Sequence, residues 1–183
     1  MSAEIIQKLA LLAEFTSRAR LGRTAIMKLC FFLQESRGVP LGYSFSLYSY
    51  GPFDSDVLSD LTAAENFNVL KSNIVYYSSG QGYEYTLGPD AQRVTELAND
   101  FIVRYKEQID WVLNTFGTSN ASQLELLSTI LFIAKYHNPR DANALVQQVN
   151  QVKPHFSDTQ IRQGFEKLLS VGVLRTAPVP ANA

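Results

Sequence analysis

The residues able to do chemistry in this 183-residue chain are few and scattered. There are two histidines. His137 stands two residues before Pro139, and His155 directly follows Pro154. Neither has a cysteine, a second histidine or a carboxylate at the short spacings that metal sites use. Asp141 follows His137 closely, but its place ahead of an apolar helical run makes it a helix cap. Cys30 is the only cysteine, so no internal disulfide can form. It lies in an apolar helical run, where a thiol packs like a small hydrophobe. No glycine-rich phosphate loop follows a strand, and no Gly-x-Ser-x-Gly elbow occurs. The expectation is therefore no catalytic residue, no metal and no cofactor. The densest polar group is the corner Tyr48, Tyr50, Gly51, Pro52, Phe53, Asp54 and Asp56. Two phenols and two carboxylates at the start of a helix suit recognition rather than catalysis. The carboxylates already supply negative charge to the positive end of that helix, so an anion is disfavoured there and a cationic group or a capping role fits better.

The elements that hold this corner follow from spacing. Ile5, Leu9, Leu12 and Ala13 keep the period of an amphipathic helix over Ala3–Arg18. Thr24 is placed to cap a second helix that runs to about Glu35, is apolar nearly all round and should be the central buried one. Gly42–Tyr50 alternates with period two, Phe45 and Leu47 on one face, and predicts a strand. Gly51-Pro52 should stop its ladder, because proline has no N–H to donate. Asp54 or Ser55 caps a third helix carrying Val57, Leu58 and Leu61. Two β-rich runs, around Leu70–Tyr77 and Tyr83–Leu87, flank a glycine-containing loop at 78–82 and predict a hairpin.

Beyond Pro89 the pattern is helical. Val94, Leu97, Phe101, Ile109, Val112 and Phe116 predict one helix on the order of 40 Å long, ended by Gly117. Capping boxes are expected at Ser122 with Glu125 and at Ser157 with Gln160, around a short helix capped by Asp141. Asn68-Val69-Leu70-Lys71 and Gly172-Val173-Leu174-Arg175 form an internal echo, each a helix end, a turn residue and a short apolar run closing on a base. The tail Thr176–Ala183 is expected to fray.

Sixteen basic and seventeen acidic residues give a formal net charge of −1, so no global field recruits nucleic acid or an anionic membrane. Locally the charge is lopsided. Arg18, Arg20, Arg23 and Lys28 have no acid among them, and Asp54, Asp56, Asp60 and Glu65 have no base. This reads as two solvated faces or as a dipolar surface that steers a protein partner. In a winged helix the third helix would enter the major groove, where basic and amide side chains are needed. Four acids on that helix oppose the usual mode of DNA binding. A nucleic-acid face built from Arg18, Arg20, Arg23 and Lys28 is the alternative.

The segment from Lys28 to Asp60 resembles the YwgA-like proteins and, more distantly, the Panacea (SocA-like) antitoxin domain. Lys28-Leu29, Phe32, Gly38, Leu47, Tyr50-Gly51-Pro52 and Leu61 carry the resemblance, and the aromatic run Gly82–Leu87 is similar too. It covers the first half of the chain; the second half matches only as a helical continuation. Cys30 and Phe31 stand where such helices often have basic or small residues, and the Trp-His pair of many Panacea domains is missing, which favours the YwgA-like side. The resemblance implies a protein-binding module of the antitoxin or adaptor kind rather than a catalyst.

The expected architecture is a mostly helical α+β protein: a winged-helix-like unit over residues 1–88, a helical half over 89–175 packed on it, and a flexible tail over 176–183. The N-terminus lacks a signal-peptide pattern and no apolar run is long enough for a membrane span, so a cytoplasmic setting is expected. The expected function is a non-enzymatic interaction protein or regulator that binds another protein through the Tyr48–Asp56 corner. A nucleic-acid-associated regulator is the alternative.

Overall fold

The structure is a computed structural model that describes residues 2–77 and 80–175. Ser78, Ser79 and the Thr176–Ala183 tail lie outside the described residues, as does Met1. Helix α1 (Ala3–Arg18) begins at Ser2, whose hydroxyl accepts from the Ile5 N–H. Helix α2 (Arg23–Arg37) begins one residue before the expected cap. Its N-cap is Gly22, which has no side chain to offer, and Thr24 lies inside the helix. Every residue from Ile26 to Leu33 is buried, so α2 is the central helix that its all-round apolar sequence requires. Phe32 stacks on Phe116 with ring centres 4.0 Å apart, and Phe31 meets Phe45 edge to face.

The Gly42–Tyr50 strand is the main departure. Only Ser46–Tyr48 is a strand (β1), and it pairs antiparallel with Gly51–Phe53 (β2). The upstream part spends its backbone groups on side chains instead. Gln34 brackets Tyr43, donating to its carbonyl and accepting from its N–H, and Ser44 N–H goes to the Asp54 carboxylate. With those groups satisfied, nothing drives them into a ladder. Gly51-Pro52 does not stop the ladder, because it forms the second strand itself. A two-stranded ladder has only edges, where proline is tolerated. Gly51, at φ +87°, takes the left-handed conformation that closes the turn through Ser49 and Tyr50.

Helix α3 (Ser55–Asn66) follows, capped by Asp54. Hairpin β3 (Leu70–Tyr77) and β4 (Gly80–Leu87) then runs longer than the sequence suggests. Gly80, Gln81 and Gly82 pair with Tyr77, Tyr76 and Val75 and belong to the strand rather than to the loop. Helix, helix, strand, helix, hairpin is the expected winged-helix order, but β1 pairs with β2 and not with the wing. A single bridge from Leu21 to Tyr85 joins the α1–α2 connection to β4.

The expected single long helix is broken at Ala98 and Tyr105 into α4 (Ala91–Leu97), α5 (Asn99–Arg104) and α6 (Lys106–Phe116). Phe101 N–H reaches back three residues to the Ala98 carbonyl, so the turn tightens there and the rod bends around α1. Helix α7 (Ala121–Tyr136) starts with a capping box, formed by Asn120 and Gln123 rather than by Ser122 and Glu125. Helices α8 (Ala142–Val152) and α9 (Asp158–Ser170) carry the expected Asp141 cap and Ser157–Gln160 box. The internal echo is a shared turn. Asn68 and Gly172 are both left-handed, and Val69 and Val173 N–H groups each bond back to the carbonyl five residues earlier, the Schellman arrangement. The first copy continues into a strand; the second, as far as the described residues run to Arg175, does not.

Most of the described residues are helical, which with two small hairpins defines a mostly helical α+β protein. One continuous apolar core draws on α1, α2, α3, α6, α7, α8 and α9. Cys30 sits in it, fully buried, and burial pushes its thiol well up from its ordinary range. No helix among the described residues is long and apolar enough to cross a membrane.

Candidate functional site

The corner singled out in the sequence divides into a buried floor and an exposed tip. Lys28 is only 2% exposed, and its ammonium donates to the Pro52 carbonyl at 2.6 Å. Lys153, also 2% exposed, closes α8 and donates to the Tyr48 carbonyl at 3.2 Å and to that of Ser49. Its charge is met by Glu125 of α7, 2.8 Å away. His155 approaches the same carboxylate oxygen at 3.5 Å from the surface. Gly51 presses on α7 so closely that an added Cβ would stand 3.1 Å from both the Ser128 and the Thr129 hydroxyl oxygens. The floor thus holds two buried cations, one carboxylate and three backbone carbonyls. Desolvation, with Lys153 nearby, lowers Lys28 from its ordinary 10.5 to about 8, although Glu125 works the other way.

Above this floor, Tyr48 and Tyr50 are 61% and 69% exposed. Tyr48 leans on Phe53, ring centres 5.2 Å apart, while Tyr50 sits in the turn itself. Asp54 is buried and serves as the α3 cap, accepting from Asp56 N–H at 2.8 Å. Asp56 faces solvent. Of the seven corner residues, Gly51, Pro52 and Asp54 build the support and Tyr48, Tyr50 and Asp56 are presented to solvent.

The lopsided charges do not form two faces. Arg18 is paired with Asp110 at 2.5 Å and with Glu14 at 3.4 Å. Arg20 lies 3.6 Å from Glu84. Arg23 donates to the Tyr85 hydroxyl at 3.1 Å, and Lys28 is buried under Pro52. The four bases therefore do not form one basic face: folding brings acids and hydroxyls from distant segments to them, and only Arg20 and Arg23 line a common cleft. On the acidic side, Asp60 is buried, accepts from the Tyr43 hydroxyl at 2.8 Å and is faced by Lys8. Burial holds its carboxyl above the ordinary range despite those partners.

His137 ends α7 in an exposed position, and no group of metal-ligating side chains occurs among the described residues. Sequence reasoning missed Lys153 and Glu125. Their signal was slight: a lysine just past the apolar face of α8, and a glutamate inside the most hydrophobic helix. No protein-family model matches the chain, and no curated protein matches it significantly.

Proposed function

We propose that the protein is a non-enzymatic interaction module acting in the cytoplasm, which binds another protein through the hairpin tip Tyr48–Tyr50 with Asp56 beside it. One observation carries this reading: two tyrosines are held out in solvent on a backbone fixed from below by buried lysines. Large amphipathic rings cost little conformational entropy when they are immobilised at an interface, and a rigid support lowers that cost further. The resemblance to YwgA-like and Panacea-type modules points the same way. The test is a pull-down from nuclease-treated host lysate with wild-type and Tyr48→Ala/Tyr50→Ala baits. The wild type is expected to retain a discrete partner that the double variant loses, with unfolding transitions that agree within about 0.5 kcal/mol. A partner retained in full by the double variant would rule the tip out.

A further inference from the structure

A second feature is independent of the hairpin tip. A cleft of about 500 Å³ opens where the α1–α2 connection, β4 and the start of α7 meet, lined among others by Arg20, Arg23, Thr24, Tyr83, Ser119 and Asn120. That volume lies in the range of small-ligand sites. Both charged residues that line it are arginines. Arg23 is already oriented. Its guanidinium lies 3.7 Å from the centre of the Tyr83 ring, and its Nε donates to Tyr85, which leaves its terminal nitrogens without a partner among the described residues. Arg20 has Glu84 as its acidic neighbour, at 3.6 Å and open to solvent. Guanidinium groups suit phosphate, since their donors match its oxygens in pairs. The first turns of α2 and α7 open on the same space and add to the positive potential.

Beside the cleft, the hairpin that supplies Gly82 and Tyr83 to its lining adds a second kind of contact. In the β3–β4 register, Ile74 stands opposite Tyr83 and Tyr76 opposite Gln81, all on the face that carries the buried Leu70 and Tyr85. That face packs on the body at its base and overruns it further out. Ile74 and Tyr76, one and two rungs along, are 52% and 80% exposed. A surface of this kind takes the flat side of a planar ring.

We propose that this cleft binds a small phosphate-bearing compound with a planar ring, the chemical class of a mononucleotide, its phosphate between Arg20 and Arg23 and its ring against Ile74 and Tyr76. The probe is adenosine monophosphate titrated into isotope-labelled full-length protein, with inorganic phosphate and adenosine run separately. Saturable amide shifts are expected at Arg23–Ala25, Tyr83 and Ser119–Ala121. Arg20→Gln should weaken binding about tenfold, the loss of one charged contact. Tyr76→Ser should weaken adenosine monophosphate but not inorganic phosphate. Arg23→Gln touches the Tyr85 contact and can disturb the fold, so Arg20→Gln, which alters one exposed pair, is the deciding variant. Absence of saturable shifts at millimolar adenosine monophosphate overturns the proposal. So does affinity unchanged in Arg20→Gln, or binding of single-stranded oligonucleotides without binding of the mononucleotide.

Discussion

The two hairpins have the same secondary structure and opposite physics. β1–β2 has three residues per strand, yet three helices grip it: α2 through Lys28, α7 through Glu125 and the contact with Gly51, and the end of α8 through Lys153. β3–β4 has eight residues per strand and is anchored mainly at its base, by Leu70, Tyr85 and the bridge to Leu21. A short hairpin cannot hold itself together in water, so its order must come from outside the ladder. Here it comes from ammonium groups bonded to carbonyls. The long hairpin has ladder bonds enough to project but little burial to stiffen its far end. Ladder length therefore does not indicate which hairpin is rigid; the partners beneath each one do.

The strongest way to break this contrast is Lys153→Met. It removes the donor to two carbonyls and strands the Glu125 carboxylate in a buried position without its ion-pair partner, leaving the surface His155 and the more remote Lys28 charge to face it. Breaking a buried pair from one side typically costs about 3–5 kcal/mol, and a loss of that size is expected in urea unfolding. Adding Glu125→Gln should recover part of it, because the stranded charge is then gone. If Lys153→Met costs under about 1 kcal/mol, the floor is not what fixes the tip.

Next in size is a dependence on pH. Lys28 has a folded value of about 8 and an ordinary value of 10.5. Between these, the unfolded chain binds the proton more strongly than the folded one, so this group raises stability as pH climbs through that window. The full swing is of order 3 kcal/mol. Cys30, Tyr43, Tyr85 and Tyr136 act in the opposite sense, since burial raises all four and unfolding lets them ionise at high pH. The readout is therefore the difference between wild type and Lys28→Met. Wild type should gain on the variant from pH 8 to 10.5, whatever the constant offset from the lost Pro52 contact. A constant difference would place Lys28 in a far more solvated setting than its burial implies.

Much of this arrangement was legible in the sequence, and the reasons for the misses are physical. The central burial of α2, the Asp54 and Asp141 caps, the Ser157–Gln160 box and the existence of the β3–β4 hairpin, though not the length of its second strand, follow from local pattern. The strand over Gly42–Tyr50 failed because Gln34 and Asp54, distant in sequence, satisfy its backbone first. The long helix failed at Ala98 and Tyr105, which carry no proline or glycine to mark a break. Asn120 stands as the cap in place of Ser122: the two candidates lie within one turn, and Asn120 completes a box with Gln123. In the candidate site, Tyr48 and Tyr50 were found because aromatic hydroxyls beside a Gly-Pro turn stand out. The lysines beneath them were not, because a charged residue on a helix reads as solvated unless its buried partner is known. Lys28 was assigned to a basic face for that reason.

The smallest expected effect belongs to the far end of the long hairpin. Ile74→Thr should change stability by no more than about 0.5 kcal/mol, because the side chain is already half exposed and threonine keeps the β-branched shape the strand prefers. The same region should show its looseness in amide exchange. Protection is expected to fall from Leu70 and Tyr85, anchored on the core, towards Tyr76 and Gln81, whose ladder bonds can open without exposing buried surface. Uniform protection along the hairpin would mean that a contact beyond the ladder stiffens its outer half, and the two hairpins would then differ in length alone. In the protein as described, a graded profile along β3–β4 is what eight residues over solvent should give, whereas the three-residue strands of β1–β2 are held through their carbonyls by the buried lysine floor.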